Sequence, residues 1–131
     1  MAAVSELVRG TDFVGMPTRD LEAAVAFYGD TLGLPRSVYM PERNYAEFET
    51  GNVTFSVFSP EQFGLEFNPN ANALGLHVDD VAQARATLEG RGVEFSGDIL
   101  DTGVCHMAFF ADSDGNALML HHRYAPRQTE A

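Results

Sequence analysis

Residues 19–28 read Arg19-Asp20-Leu21-Glu22-Ala23-Ala24-Val25-Ala26-Phe27-Tyr28, and this stretch decides the fold. Leu21, Ala24, Val25, Tyr28 and, one turn on, Leu32 recur at helical spacing and make one apolar face. Thr18 or Asp20 is positioned to cap the amino terminus by accepting backbone N–H groups, and Gly33 to close the other end in a left-handed turn. Ahead of this helix, residues 11–18 form a short apolar stretch that reads as a strand. Behind it, alternation predicts strands over 36–40, 45–49 and 53–58, with Thr50-Gly51-Asn52 as the hairpin turn between the last two.

The second half repeats that order. A strand is expected over 74–78, then a helix opened by Asp79-Asp80-Val81, carrying Val81, Ala84 and Leu88 and ended by Gly90 and Gly92. Strands follow over 94–97, 106–111 and 117–121, with Asp112-Ser113-Asp114-Gly115-Asn116 as the turn before the last. Asp20 matches Asp80 and Gly51-Asn52 matches Gly115-Asn116, offsets of 60 and 64 residues. Near-constant spacing of this kind marks an internal duplication. The expected fold is therefore α+β, with two tandem βαβββ modules at 11–60 and 73–124 in one domain. A linker covers 61–72, where Phe63, Leu65 and Phe67 alternate as if one side packs, and a polar tail covers 125–131.

Composition narrows the function classes. A chain of 131 residues with 45% apolar content hides about two thirds of its extended surface on folding and needs neither disulfide nor metal for stability. The single cysteine, Cys105, has no internal partner, which suits a reducing compartment. Residues 1–10 carry Glu6 and Arg9 and no continuous apolar run, so neither a signal peptide nor a membrane span is expected, and the expected location is the cytoplasm. The net charge of −11 argues against nucleic acid as a partner, since phosphate backbones require basic patches. It favours solubility, and it allows attraction of a cationic ligand.

Three phrases carry a family resemblance: residues 19–28 followed by Leu32-Gly33-Leu34; His77-Val78-Asp79-Asp80-Val81; and Ala108-Phe109-Phe110-Ala111-Asp112-Ser113-Asp114-Gly115-Asn116. Over residues 11–124 the chain resembles the vicinal-oxygen-chelate superfamily, which includes glyoxalase I, extradiol dioxygenases, and fosfomycin- and bleomycin-resistance proteins. The resemblance implies an incompletely closed, barrel-like sheet around a cavity. In metal-dependent members it also implies four ligands, His, Glu or Gln, from the first and last strands of each module. A divalent ion held there polarises two adjacent substrate oxygens.

Counted from the family phrases, those four positions fall on Phe13, Ser56, Ala73 and Met119. A phenyl ring, a hydroxyl, a methyl group and a thioether do not make a catalytic divalent-ion site, and a one-residue shift restores no set of four. No metal and no other cofactor is expected. A displaced site built from His77, His121 and Glu47 or Glu49 is conceivable, but no spacing matches a zinc-type motif. Cys105 beside His106 has the composition of an activated thiol, yet strand neighbours point to opposite faces, so an inert buried cysteine is the better reading.

Alternation about the four positions puts Phe13, Ser56, Phe58, Ala73, His77, Met119 and His121 on the inner face, with Tyr39 and Tyr45 on adjoining strands as further candidates. Aromatic rings and adaptable methionine suit a flat or hydrophobic ligand that a few polar groups orient. Glu47, Glu49 and Asp101 would add attraction for a basic compound. The expected function is metal-independent binding of a small organic molecule, a hydrophobic or aromatic metabolite or antibiotic, by a homodimer. The alternatives are an enzyme (lyase, isomerase or dioxygenase-like) using His77 or His121 as acid or base, and a scaffold module with a filled core and no ligand.

Overall fold

The computed structural model describes residues 5–127. Residues 1–4 and 128–131, which include most of the expected polar tail, lie outside the described residues. The chain divides between Phe67 and Asn68 into two compact units, each a four-stranded sheet with one principal helix.

In the first unit, β1 (Phe13–Pro17) leads to α1 (Leu21–Val25), and β2 (Arg36–Met40), β3 (Tyr45–Glu49) and β4 (Thr54–Phe58) follow. The sheet order is β1-β4-β3-β2. β1 and β4 pair in parallel, and the β3–β4 hairpin is antiparallel. Asp20 caps α1 by accepting from Ala23 N at 3.1 Å, and Thr18 Oγ1 accepts from Asp20 N at 3.0 Å. The expected single helix through Leu32 is corrected: after Val25 the coil widens into a π-helical segment, Ala26–Thr31. Leu32 N donates to Phe27 O at 2.9 Å in place of the residue four back. π-segments of this kind redirect side chains at a helix end. Here Tyr28 is 0% exposed and lies 5.9 Å from Phe48 and 5.7 Å from Phe55, ring centre to ring centre.

Alternation then separates the two faces of this sheet. Met16, Ala46, Phe48, Phe55 and Val57 are buried with Leu21, Ala24 and Tyr28 of the helical layer. Each fully buried large apolar side chain contributes on the order of 1.5–3 kcal/mol. The open face carries the intervening residues, including Glu47 directly opposite Ser56 and Glu49 opposite Thr54. The β3–β4 turn closes on Gly51 at φ +104, a conformation that glycine adopts without steric cost.

The second unit repeats the plan. Its elements are β5 (Leu74–His77), α2 (Val81–Gly90), β6 (Ser96–Asp101), β7 (Cys105–Ala111) and β8 (Ala117–Arg123), in sheet order β5-β8-β7-β6. Asp80 caps α2 by accepting from Gln83 N at 3.0 Å. Val81 and Leu88 are buried, as are Ala108, Phe110, Leu118 and Leu120 of the sheet. The strand expected over 94–97 is corrected to Ser96–Asp101, because Gly97 does not end a strand. It sits at φ +72 inside an irregularity of the β6–β7 ladder between Ser96 and Leu100. Arg85 covers this edge, its guanidinium 4.9 Å from the Phe95 ring centre and donating to Gly97 O at 2.9 Å.

The segment between the modules is partly ordered by side chains. Pro60–Phe63 forms a 3-10 turn, and Phe67 lies 4.3 Å beneath the Arg19 guanidinium. Phe63 and Leu65 are 70% and 59% exposed; Phe63 meets the Phe58 ring edge-on at 6.3 Å between centroids, while Leu65 stays largely open. Further on, fully buried Asn116 accepts from Asn70 N at 2.8 Å and ties the approach to β5 onto the β7–β8 turn. No helix among the described residues is long and apolar enough to cross a membrane.

Candidate functional site

The helix-free face of the first sheet brings together Ser56 and Tyr45, two of the residues singled out in the sequence, with Glu47, which was weighed there as a ligand and as a charge. Tyr45 Oη donates to the Glu47 carboxylate and lies 2.9 Å from Ser56 Oγ. With its own proton committed to Glu47, the phenol oxygen accepts from Ser56. Burial pushes the Tyr45 phenol above its ordinary value, and the bond to Glu47 adds to the rise. Beside this array, Glu49 accepts from Ser37 Oγ and, at 2.7 Å, from Thr54 Oγ1. The hydroxyl of Ser37 first, then that of Thr54, holds the Glu49 carboxyl below the usual range.

Phe13 opens β1 on the same face and is 62% exposed, opposite Thr54 in the parallel ladder. Phe58 packs its ring over Gly15, where an added Cβ would sit 3.1 Å from the ring. Tyr39 is placed elsewhere. It pairs with Ala46, so it points to the helix side of the sheet, where the Arg36 guanidinium lies 4.1 Å from its ring centre.

In the second sheet, register aligns Gly75 with Met119 and His77 with His121 across β5 and β8, and Phe109 with Met119 and Met107 with His121 across β7 and β8. Met119, His121, Met107 and Phe109 thus share the helix-free face, all partly exposed. Gly75 leaves them uncovered on the β5 side; a Cβ added there would reach ordinary van der Waals contact with Met119 Cγ at 3.9 Å and His121 Cβ at 3.8 Å. His77 stands at the end of β5 with 73% of its side chain exposed and 3.8 Å from Asp79. Its ring is 5.9 Å from that of His122, while His122 Nδ1 is 3.0 Å from Val78 O. Ala73 precedes β5 and is half-buried. Phe110 belongs to the helix side, 5.0 Å from Phe95.

Asp101 lies outside both open faces. Its carboxylate accepts from Gly103 N at 2.9 Å and Tyr124 Oη at 2.8 Å, with His106 Nε2 at 3.3 Å. These donors, the Gly103 N–H first, hold the carboxyl below its ordinary value. A carboxyl depressed in the folded chain contributes stability that is complete above its unfolded value and lost as pH falls through the folded one. Tyr124→Phe removes one donor, so the Asp101 titration is expected to move up towards the ordinary carboxylate value without reaching it. Carbon-13 NMR of the side-chain carboxyl checks this; an unchanged titration would show that Tyr124 does not hold it. Cys105 is buried, 3.0 Å from Thr102 Oγ1.

Phe13, Ser56, Ala73 and Met119, the four positions counted from the family phrases, offer a phenyl ring, a hydroxyl, a methyl group and a thioether, a set that does not fit a divalent ion. The Ser56 hydroxyl is itself engaged by Tyr45. Glu47 and Glu49 are engaged by Tyr45, Ser37 and Thr54. Among the described residues, no group of three or more His, Cys, Asp or Glu side chains is placed to hold a metal.

Met107 and Arg123 were not among the candidates drawn from the sequence. A signal for them existed: the five-residue turn 112–116 sets a hairpin in which Ala111 faces Ala117, and counting outward pairs 109 with 119, 107 with 121 and 105 with 123.

Two βαβββ modules, each with a capped helix on one side of a four-stranded sheet, define an α+β protein of the glyoxalase type. The family model described as Glyoxalase/Bleomycin resistance protein/Dioxygenase superfamily matches residues 10–120, and the chain belongs to this superfamily. No curated protein matches its sequence significantly. Among solved structures, a glyoxalase/bleomycin resistance protein/dioxygenase from Nocardioides is 22% identical with a TM-score of 0.77, covering 98% of this chain and 93% of its own. A lactoylglutathione lyase from Agrobacterium tumefaciens is 18% identical with a TM-score of 0.73, over 86% and 92%. TnmS3, an antibiotic binding protein from Streptomyces sp. CB03234, is 24% identical with a TM-score of 0.73, over 94% and 99%. At these identities the likeness establishes the fold.

Proposed function

We propose that the chain is a metal-independent small-molecule-binding protein that sequesters a hydrophobic or aromatic metabolite or antibiotic. The reading rests on the side chains at the four positions counted from the family phrases, Phe13, Ser56, Ala73 and Met119, which supply no set of metal donors. The face around Met119 supplies polarizable and aromatic surface in Met107 and Phe109, with His121 as a polar group able to orient a ligand. Taken by itself, the open face of the first sheet carries Phe13, Phe58 and the Tyr45–Ser56–Glu47 array. TnmS3, whose name states antibiotic binding, shares the fold and lends this reading support. The two modules act as one domain, in the cytoplasm and as a homodimer, and the partner is a small organic molecule in place of nucleic acid or membrane.

Calorimetry against a panel of aromatic antibiotics, with native mass spectrometry of the protein taken from cell extract, tests the reading. Binding without chemical change, unaffected by EDTA, is expected. Met119→Asp, which sets a charge in the apolar stretch, is expected to weaken binding at least about tenfold, since one pairing lost to an unpaired charge is worth roughly 1.4 kcal/mol or more. Conversion of the compound would assign an enzyme, EDTA-sensitive binding would end the metal-independent reading, and absence of any ligand would leave a scaffold.

A further inference from the structure

Most charged groups close to the open faces already have partners. Glu47 and Glu49 are held by neighbouring hydroxyls, and Asp101 by Tyr124, Gly103 and His106. Arg123 differs. Among the described residues its Nε is the one buried side-chain nitrogen or oxygen without a hydrogen-bond partner. Among those same residues its guanidinium makes only a long hydrogen bond, from Nη2 to Pro126 O at 3.5 Å, and it joins none of the ion pairs. A guanidinium offers five donors in a planar fork, and a buried donor left unmatched costs the desolvation of that group. In a chain with 19 carboxylate side chains, a cation that none of the described ones satisfies points to an acceptor from elsewhere.

Its place in the sheet indicates what that acceptor belongs to. Met119, His121 and Arg123 alternate along β8 onto the helix-free face, opposite Phe109, Met107 and Cys105 of β7. Two steps of alternation span about 13 Å along a strand. The cationic fork therefore stands at one end of an apolar strip long enough for a fused two-ring system. Guanidinium forks match carboxylates bidentately.

We propose that Arg123 anchors the carboxylate of an aromatic carboxylic acid whose rings lie along Met107, Phe109, Met119 and His121. The proposal rests on the small-molecule-binding reading and narrows it to acidic aromatic compounds, despite the net negative charge of the chain.

The test uses three probes of one shape: 2-naphthoate, 2-naphthamide and 2-naphthylmethylamine, titrated calorimetrically into the full chain. Naphthoate is expected to bind at least about tenfold tighter than the amide, in line with a charge-assisted pair. Arg123→Gln should erase that preference while leaving amide affinity and the circular dichroism spectrum unchanged. Arg123→Lys should keep part of it, charge without the fork. In nitrogen-15 NMR the Arg123 Nε–H resonance should move on adding naphthoate and stay on adding the amide. Equal affinity for acid and amide in the unaltered chain, or a preference that survives Arg123→Gln, would overturn the proposal. That comparison in the unaltered chain and the NMR readout hold even if Arg123→Gln fails to fold. Binding of the amide or amine with rejection of the acid would overturn the Arg123 anchor alone. Rejection of all three would count against the anchor and the binding reading together.

Discussion

Tyr28→Ala is expected to destabilise the chain by about 3–5 kcal/mol, the range for removing a large buried aromatic side chain. Tyr28 is wholly buried and meets Phe27, Phe48 and Phe55 at centroid distances of 5.3, 5.9 and 5.7 Å, two of them edge-on. Such pairs add to the burial of area alone. Three rings from three elements cannot close on the void without moving the π-segment that delivers Tyr28, so the cavity term stays in force. Domains of this size hold roughly 5–15 kcal/mol in total, so the denaturation midpoint should fall steeply. Tyr28→Phe, which keeps the ring, should retain most of the stability. A loss below about 1 kcal/mol in Tyr28→Ala would mean that the aromatic cluster is not the centre of the first module.

The second large effect is expected at Asn116. This side chain is 0% exposed. It accepts from Asn70 N at 2.8 Å and donates through Nδ2 to Asp112 Oδ2 at 2.8 Å, while its own backbone N–H donates to Asp112 Oδ1 at 2.9 Å. Asn116→Ala takes one acceptor from Asn70 and one donor from the buried Asp112 carboxylate. Each buried polar group deprived of a partner costs about 1–3 kcal/mol, so for the two groups a loss of about 2–6 kcal/mol is expected. Asn116→Asp should do no better, because it sets a second carboxylate against Asp112. Hydrogen exchange separates this from a general loss of stability. Asn70 and Ala117 amides, the latter donating to Asn70 O at 2.9 Å, should lose protection more than those of α2. Uniform loss across the second unit would refute the local clamp.

Much of the fold was legible because its signals are local. Helix starts follow from Asp20 and Asp80, whose carboxylates reach an N–H three residues on. The β3–β4 and β7–β8 hairpins follow from turns with glycines at positive φ, Gly51 and Gly115. The misjudged elements are those where periodicity breaks. The coil after Val25 changes from one repeat to another without any change in residue type. Gly97 reads as a terminator in sequence, yet it sits inside the β6–β7 irregularity, where its positive φ lets the strand run on to Asp101.

The candidate site divides along the same line. Met119 and His121 share a face by simple alternation, and so do Phe13 and Phe58 with their ladder partners. Tyr39 and Tyr45 lie in neighbouring strands of similar composition, but opposite faces receive them, and only the pairing with Ala46 and Met40 separates the two.

From the amino-acid sequence came the duplicated βαβββ order, the helix caps and the turns. These depend on residue identity and on repeats of two or 3.6 residues. Tertiary pairing settled that the Tyr45 hydroxyl donates to Glu47 while accepting from Ser56, that Tyr28 turns inward, and that Arg123 Nε is buried with no acceptor among the described residues. The physical reason is that satisfaction of a polar group depends on which strands pair and in what register, a relation between residues distant in the chain that no local period records.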